Sequence, residues 1–291
     1  IPLRLVGSEM CIRDSNKIVI VTGFQGINKY DDITTLGRGG SDTTAVALAA
    51  ELHADVCEIY TDVDGVYTAD PRIVPNARKM EEVTYDEMLE MASLGAKVLH
   101  SRCVEIAKKY GVELLVCSSL NRNSGTMVRE KTKMEKMLIS GVAADKNVAK
   151  IRVAGLGNDP ESTFRLLNLL DRNNLNIDVM IQSLGKDGTK SVSFTVAKPD
   201  MLRTIDVLND NKDLLGIKKL DYDENVAKIS VIGAGVRSHS GVAAKMFGAL
   251  ANAGINTEMV TTSEIRITAL IDEAYADQAM RAIHETFLER V

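Results

Sequence analysis

The sequence predicts an α/β domain with a mostly parallel sheet, followed by two smaller α+β modules of the ferredoxin-like kind. Up to residue 128, apolar strand-like runs alternate with helical patterns, which is typical of parallel strands joined by right-handed crossovers. A charged stretch follows at 129–136, and the chain beyond it repeats itself. Each copy shows the order strand, helix, strand, strand, helix, which predicts two copies of one small module.

The first regular elements are expected just after residue 15. Residues 1–15 show neither helical nor strand periodicity and do not begin with methionine, so we expect a non-native leader there and exclude it from the fold. Residues 18–21, Ile-Val-Ile-Val, predict a buried strand, and 23–35 predict a polar turn or hairpin.

A glycine-rich loop at 37–42, Gly-Arg-Gly-Gly-Ser-Asp, opens a predicted helix. Glycines let backbone N–H groups approach an anion, and the first turn of a helix adds unpaired donors and the positive end of its dipole. Ser41 or Asp42 is expected to cap the helix, and Arg38 adds a fixed charge. The apolar stripe of the helix is expected to comprise Ala45, Leu48, Ala49 and Leu52. The loop predicts phosphate binding, although taken alone a tight strand-to-helix turn explains it equally well.

A second polar loop favours the binding site over the simple turn. Residues 56–60 predict a strand, and the loop at 61–72 follows it with the sequence Thr-Asp-Val-Asp-Gly-Val-Tyr-Thr-Ala-Asp-Pro-Arg. In an open α/β sheet, ligands bind outside the carboxyl ends of the strands, where both loops are expected to lie.

The rest of the first domain is predicted to contain two helices and a strand. Helical periodicity covers 85–94 and 96–110, and Gly111 is placed to end the second helix. Residues 112–117 predict the next strand. The charged stretch beyond it is interpreted as a solvated linker.

The internal repeat is visible in two pairs of segments. Residues 149–155 return as 227–233, and the Leu-Asn-Ile-Asp of 175–178 returns as Ile-Asn-Thr-Glu at 255–258. Each module is too small to bury a large core alone, so we expect the two modules to pair with each other.

Composition and charge argue against several classes of function. The 291 residues carry a net charge of -5 with no basic block, which argues against nucleic-acid binding. The four cysteines form no CxxC pair, so neither a zinc site nor a disulfide framework is expected. No apolar stretch approaches the roughly 18 residues of a membrane span. We expect a soluble, cytoplasmic protein with no metal site of its own and no membrane contact.

Five motifs resemble those of the aspartate kinase family, and the match runs from about residue 16 to the C-terminus. They are VTGFQG from Val21, TTLGRGGSDTTA from Thr34, TDVDGVYTADPR from Thr61, GAKVLH from Gly95 and TSEIRI from Thr262. Members of that family transfer the γ-phosphoryl group of ATP to the β-carboxylate of L-aspartate, the first step towards lysine, threonine, methionine and diaminopimelate. The resemblance implies an amino-acid-kinase fold followed by two ACT domains, which bind amino-acid effectors.

On this resemblance the chain divides into a kinase part at 16–130, a linker at 131–145, a first ACT module at 146–224 and a second at 225–291. Family members begin with a lysine and paired glycines in a KFGG- or KYGG-like segment, which nothing here matches. The chain therefore resembles a carboxyl-terminal fragment with an N-terminally truncated kinase sheet. We expect it to be inactive alone, which an assay of aspartyl phosphate as the hydroxamate tests.

The resemblance assigns Arg38, Ser41 and Asp42 to the reaction. Arg38 would form a paired hydrogen bond with the α-carboxylate of aspartate, and Ser41 and Asp42 would line the meeting point of substrate and phosphate. The carboxylate of aspartate is already an anionic nucleophile, so the reaction needs alignment and charge neutralisation but no general base. His100 is therefore interpreted as structural.

The resemblance also places a set of residues around ATP, which would bring Mg²⁺ with it. They are Thr61, Asp62, Tyr67, Arg72 and Lys97. Arg72 and Lys97 would touch the phosphates. Taken singly, the acids of this loop are turn formers and Lys97 is a surface residue, but their joint order favours the nucleotide site.

In the ACT modules the resemblance points to an effector site for threonine or lysine. The matching residues are Asn158, Asn176, Asp178 and Gln182 in the first module and Asn256, Ser263 and Glu264 in the second. An Asn-Ile-Asp before a strand is an equally good helix-to-strand connection. The Gly-Asn-Asp-Pro run at 157–160 departs from the usual turn of the family, which leaves the identity of the effector open.

A second interpretation retains the ACT modules without catalysis. A non-catalytic, effector-binding regulatory subunit needs neither Arg38, Asp62 nor Lys97, so the retained loops favour the kinase. Titration with threonine, lysine and MgATP separates the two. A kinase for glutamate or a nucleotide fits the tandem modules less well. Because ACT modules commonly pair across subunits, a homo- or hetero-oligomer is expected.

Overall fold

The computed structural model describes residues 18–95, 98–121, 123–132 and 138–288. They form two compact units. The N-terminal unit holds the residues up to Thr68 together with 78–132, and the C-terminal unit holds 69–77 together with the residues from 138 onward. The predicted leader at 1–15, Lys97 and the middle of the predicted linker lie outside the described residues. None of the helices in the described part is both long enough and apolar enough to cross a membrane.

The N-terminal unit is built on a sheet of short strands. In chain order its described elements are β1 (Gln25–Ile27), β2 (Ile33–Thr35), α1 (Gly40–Glu51), β3 (Cys57–Thr61), β4 (Glu82–Thr84), α2 (Tyr85–Ser93), α3 (Ser101–Tyr110), β5 (Leu114–Ser118) and β6 (Thr126–Arg129). β1 and β2 form the hairpin predicted at 23–35. The other strands form a sheet in the order β3-β5-β6-β4. β3 pairs with β5 and β4 with β6 in parallel, whereas β5 and β6 are antiparallel, so the mostly parallel sheet is confirmed.

Local sequence chemistry sets the ends of the helices in this unit. Thr84 and Glu87 form a capping box at the start of α2, and Gly111, with a φ of 69°, ends α3 as predicted. α3 begins at Ser101, later than the predicted residue 96. The reason is that His100 is extended and caps the helix, with its Nδ1 accepting the Arg102 N–H at 3.3 Å.

Two predictions at the start of this unit are wrong. Residues 18–21 form no strand, and Ile18 and Ile20 are 96% and 94% exposed, because no described strand lies beside them to pair with their backbone. Neither Ser41 nor Asp42 caps α1. The N-cap is Gly39, in the left-handed conformation, and both residues lie in the first turn.

The buried side of α1 also differs from the predicted stripe. The buried positions are Gly40, Thr43, Val46 and Ala49, whereas Ala45, Leu48 and Leu52 are half-buried. Nearly every position of this helix from 43 to 50 is apolar or small, so periodicity could not select one face.

The C-terminal unit is built on one antiparallel sheet. In chain order its described elements are β7 (Gly141–Leu156), α4 (Glu161–Arg172), β8 (Met180–Leu184), β9 (Lys190–Ala197), α5 (Met201–Asp210), α6 (Lys212–Leu215), β10 (Lys219–Ile232), α7 (Gly235–Ser238), α8 (Val242–Asn252), β11 (Met259–Thr262), β12 (Arg266–Asp272) and α9 (Ala276–Leu288). The six strands lie in the order β11-β12-β10-β7-β9-β8.

The two central strands, β7 and β10, serve both predicted modules. Residues 150–154 of β7 pair with 219–223 of β10, and 141–145 pair with 228–232. We therefore define module 1 as residues 148–223, and module 2 as residues 226–288 together with 141–145. The segment 141–145, predicted as linker, is strand and completes the sheet of module 2.

Equivalent backbone hydrogen bonds confirm the repeat. The Asp178 N–H donates to the Thr195 carbonyl at 3.1 Å, and the Glu258 N–H donates to the Leu270 carbonyl at 2.8 Å. Each module buries its own core. Fully buried members are Ile151, Leu166 and Phe194 in module 1 and Ile229, Met246 and Ile283 in module 2.

Candidate functional site

The glycine-rich loop makes a tight turn into α1. The Gly40 N–H donates to the Gly37 carbonyl at 3.0 Å, and the Thr43 N–H and Oγ1 donate to the Gly39 carbonyl at 3.0 and 2.9 Å. Gly39 adopts a φ of 73°, and a Cβ placed on it would lie 2.4 Å from the Cβ of His100. The turn therefore requires glycine at this position.

The first turn of α3 supports the glycine-rich loop. His100 packs against Gly39, and the Arg102 guanidinium donates to the Leu36 carbonyl at 3.0 Å. α3 runs from this contact to Tyr110, and the chain then turns back into β5, so α3 begins at the edge where β5 ends.

The loop after β3 lies at that same edge. β3 and β5 are parallel and in register, with Thr61 opposite Ser118, so both strands end there. The Ser119 N–H donates to the Thr61 carbonyl at 2.8 Å just beyond the strands. The structure thus brings both polar loops to the carboxyl edge of the sheet, where α/β proteins hold ligands.

The three candidate catalytic residues lie at the start of α1. Arg38 and Ser41 are exposed, and Asp42 is half-buried. Burial raises the pKa of the Asp42 carboxyl above its usual 3.8, and the nearby His100 partly offsets that rise. The first turn of a helix also presents N–H groups that have no acceptor within the helix. An arginine, a hydroxyl and a helix N-terminus together suit carboxylate and phosphate groups.

Asp64 organises the loop after β3. The Tyr67 hydroxyl donates to Asp64 Oδ1 at 2.9 Å, and Lys79 Nζ lies 3.8 Å from Asp64 Oδ2. The hydrogen bond from Tyr67 lowers the pKa of Asp64, and the same bond raises the pKa of Tyr67. The Val66 N–H donates to Thr126 Oγ1 of β6 at 2.8 Å. These contacts fix the loop to neighbouring parts of the N-terminal unit.

The remaining nucleotide candidates differ in their surroundings. Thr61 Oγ1 donates to Asp62 Oδ1 at 3.1 Å, and Asp62 is exposed. Arg72 belongs to the 69–77 segment of the C-terminal unit and forms a paired contact with Asp70, Nε to Oδ1 at 3.0 Å and Nη2 to Oδ2 at 2.6 Å. This pairing lowers the pKa of Asp70. Lys97 lies outside the described residues.

The effector candidates of module 1 occupy two places. Gln182 Oε1 accepts the Thr163 hydroxyl at 2.7 Å in the first turn of α4, just after the loop that holds Asn158. Asn176 and Asp178 precede β8, at the end of that strand nearer the junction between the modules.

The candidates of module 2 show the same division. Ser263 and Glu264 lie in the turn between β11 and β12, where the Ser263 N–H donates to the Arg266 carbonyl at 2.7 Å. Glu264 Oε2 accepts from Arg237 of α7 at 2.9 Å. Asn256 precedes β11, at the position equivalent to Asn176 in the repeat. All seven effector candidates are exposed.

Sequence reasoning missed two lysines at the junction between the modules. Lys228 contacts Asp178 and Asp145, and Lys150 contacts Glu258. The signal was in the repeat, because each copy of its Ala-Lys-Ile motif places a lysine between two buried neighbours. Lys228 is itself buried, and a buried ammonium group requires an acidic partner.

Known proteins resemble nearly the whole chain. A sequence model of the amino acid kinase family matches residues 8–118, and one of the ACT domain matches 229–287. The aspartokinase of Pseudomonas aeruginosa is 46% identical over 276 residues, which cover 94% of this chain and 67% of that protein. The kinase-family match begins within 1–15, whose non-native origin stays a prediction.

Two solved structures of E. coli aspartokinase III are also similar. The complex with aspartate and ADP, described as the R-state, gives a TM-score of 0.83 at 30% identity over 97% of this chain and 63% of that one. The complex with lysine and aspartate, described as the T-state, gives a TM-score of 0.78 at 30% identity over 98% and 63%. The chain thus spans about two thirds of the length of its relatives.

Proposed function

The chain belongs to the aspartokinase family, and we propose that it takes part in transfer of the γ-phosphoryl group of ATP to the β-carboxylate of L-aspartate. The observation that carries the proposal is the turn into α1, which lies at the same sheet edge as the loop after β3. One segment offers donors for anions and the other offers groups for a nucleotide. The E. coli relative solved with aspartate and ADP supports aspartate and an adenine nucleotide as the ligands.

We assign the aspartate substrate to the turn into α1. The exposed guanidinium of Arg38 matches the α-carboxylate with two parallel hydrogen bonds, which a lysine cannot provide. We assign Ser41 and Asp42, in the first turn of α1, to the region where substrate and phosphate would meet. Because burial disfavours the ionised form of Asp42, a cationic partner such as the α-ammonium group of aspartate would stabilise it.

The reaction then depends on alignment and charge neutralisation. The attacking carboxylate is ionised at neutral pH, so no side chain has to remove a proton. His100 supports the turn through its contact with Gly39 and needs no role as a base.

We assign ATP to the loop after β3, with Thr61, Asp62 and Tyr67 around the nucleotide. The roles of Arg72 and Lys97 at its phosphates, which the family resemblance implies, stay predictions. The Arg72 guanidinium donates to the Asp70 carboxylate, so a phosphate bound by Arg72 would share the guanidinium with Asp70. Mg²⁺ is part of the MgATP substrate. Within the described ranges, no three His, Cys, Asp or Glu side chains are grouped to hold a metal of their own.

We further propose that lysine or threonine regulates the protein through the ACT modules. The support comes from the exposed Asn and Asp side chains at 176–178, their counterparts at 256–258, and the E. coli relative solved with lysine.

The described cysteines, Cys57, Cys103 and Cys117, are free and buried, as in proteins of a reducing compartment, so we place the protein in the cytoplasm.

The deciding experiment is an assay for aspartyl phosphate as its hydroxamate, run on the full product of the gene and on this chain. We expect product that depends on aspartate and ATP from the full gene product, and none from the chain alone. Arg38→Lys should weaken aspartate binding by about tenfold or more and leave MgATP binding unchanged. Arg152→Lys, at an exposed position of β7, is the control. Product formed equally well from glutamate, or none from the full gene product, would contradict the proposal.

A further inference from the structure

Two ion pairs cross between the modules of the C-terminal unit. Lys228 Nζ of module 2 donates to Asp178 Oδ2 of module 1 at 2.5 Å. Lys150 of module 1 in turn pairs with Glu258 of module 2. The repeat relates Lys150 to Lys228 and Asp178 to Glu258. The same lysine-to-acid contact therefore occurs twice, once from module 2 to module 1 and once from module 1 to module 2.

The surroundings of Lys228 show that its partners are required. Its side chain is 7% exposed, and Nζ also lies 3.1 Å from Asp145 Oδ2 on the neighbouring strand. An ammonium group this well buried is unfavourable unless acids surround it, and removal of one partner leaves a buried charge incompletely paired.

The same strand register recurs around Lys150. Asp223 is its partner in the register of β7 and β10, just as Asp145 is the register partner of Lys228. Asp145 accepts the Asn147 N–H and Asp223 the Asn225 N–H, each at 2.9 Å. The strand register and the turn contacts are thus the same in both halves, whereas the Lys150 side chain, at 24% exposure, is less buried than that of Lys228.

A small apolar cluster separates the two charged groups. Val148 lies opposite Val226, where β7 and β10 pass from one module to the other, and both are buried with Val179, Met259 and Leu270. Each acid is one residue before a member of this cluster, Asp178 before Val179 and Glu258 before Met259, so both effector segments lead into the same apolar contact.

We propose that Lys228 and Lys150 are positioning residues for the effector segments of the opposite module, and that the two ion pairs couple segment 175–178 to segment 255–258. A ligand ammonium group that takes Asp178 from Lys228 would leave that lysine with Asp145 alone and so change module 2, and the reverse holds at Glu258. Coupling of this kind is reciprocal for two binding sites. A role of this coupling in regulation rests on the proposed effector function. The coupling of the two segments itself does not depend on that function.

Hydrogen exchange on the full chain tests the coupling without any ligand. Lys228→Met should speed exchange of the Asp178 N–H in module 1 by about tenfold and leave the Glu258 N–H unchanged, and Lys150→Met should do the opposite. Lys219→Met is the control, because Lys219 is exposed and pairs with Asp221 of its own strand. Substitutions that loosen the segment of their own module, or both segments equally, would overturn the proposal.

A second set of variants covers the case in which a lysine variant does not fold. Asp178→Asn and Glu258→Gln remove the same pairs from the exposed side. Each should speed exchange on the strand that carries its lysine, at Ile229 and Ile151 respectively, relative to the control. Unchanged exchange at those positions would refute the coupling.

Calorimetric titration with lysine and with threonine then separates the coupling from the effector function. If either amino acid binds the unmodified chain, Lys228→Met should change its affinity by several-fold, and an unchanged affinity would overturn the positioning role. If neither binds while the crossed exchange pattern persists, the effector function fails and the coupling stands.

Discussion

At the scale of single residues, Gly39 has the clearest structural requirement. Alanine there would have to adopt a φ of 73°, a strain of about 1–2 kcal/mol, and its Cβ would meet His100 at 2.4 Å, a further loss of about 1–3 kcal/mol. Gly37→Ala is the matched control, because Gly37 has a φ of 76° with open space around its Cβ position. We expect Gly39→Ala to lower the free energy of unfolding by clearly more than Gly37→Ala, measured by urea denaturation. Equal losses would contradict the contact with His100.

The hydrogen bond between Tyr67 and Asp64 gives a second prediction. It lowers the pKa of Asp64 below 3.8 in the folded chain. A depressed carboxyl pKa contributes stability above the unfolded value, and that contribution is lost as the pH falls through the folded value. Tyr67→Phe should therefore raise the pKa of Asp64 towards 3.8, as measured by carboxyl-carbon NMR.

A neighbouring tyrosine supplies the control for this titration. The Tyr60 hydroxyl donates to Glu58 Oε2 at 2.7 Å, and that bond raises the pKa of Tyr60 to about 12. Tyr60→Phe should leave the pKa of Asp64 unchanged. If Tyr67→Phe destabilised the chain as much well below pH 3.8 as at pH 7, the electrostatic explanation would be wrong.

Residue chemistry was predictable wherever it is local. The glycine-rich turn and the stop at Gly111 follow from backbone conformation and helix-end donors within a few residues. The cap of α1 could not be predicted in this way. Its N-cap residue, Gly39, packs against His100, which is 61 residues away in the sequence. The partners of Lys150 and Lys228 likewise arise only when distant strands pair.

At the scale of elements, length and composition decided what could be predicted. β4 and β6 have three and four residues, too few for alternation to show, and neither was predicted. α1 was predicted as a helix, but its almost uniformly small and apolar sequence hid the buried face. The 18–21 run has the composition of a buried strand, yet strand formation requires a neighbour that the described residues do not provide.

The edge strand β8 gives a prediction about assembly. All five of its residues are exposed, and Met180, Ile181 and Leu184 make it an apolar edge of the kind that pairs with another chain. We propose that it joins module 1 to a second copy. Ile181→Lys should raise the dissociation constant of the assembly at least about tenfold, measured by analytical ultracentrifugation.

An exposed leucine outside the sheet is the control for that experiment. Leu202 on α5 is 68% exposed, so Leu202→Lys adds the same charge to module 1 away from its edge. A chain that is monomeric throughout, or that loses association equally with both substitutions, would contradict pairing through β8.

At the scale of the whole molecule, the pairing of the modules was predicted but the shared strands were not. The repeat marks where each module begins, because it is a local similarity of sequence. The use of 141–145 by module 2 depends on pairing with residues almost 90 positions away, at 228–232, and no local pattern encodes such a partner.

This shared sheet predicts that the two modules unfold together. β7 and β10 each pass from one module to the other, so opening either module removes strand partners from its neighbour. Leu166→Ala in the core of module 1 should lower stability by about 2–5 kcal/mol and speed global hydrogen exchange of Val231 in module 2 as much as that of Val153 in module 1. Ile283→Ala, in the core of module 2, should likewise lower stability and speed exchange of Val153 in module 1 as much as that of Val231 in module 2. Leu202→Ala, at an exposed position, should change neither. Acceleration confined to the substituted module would show that the modules unfold independently despite their common strands.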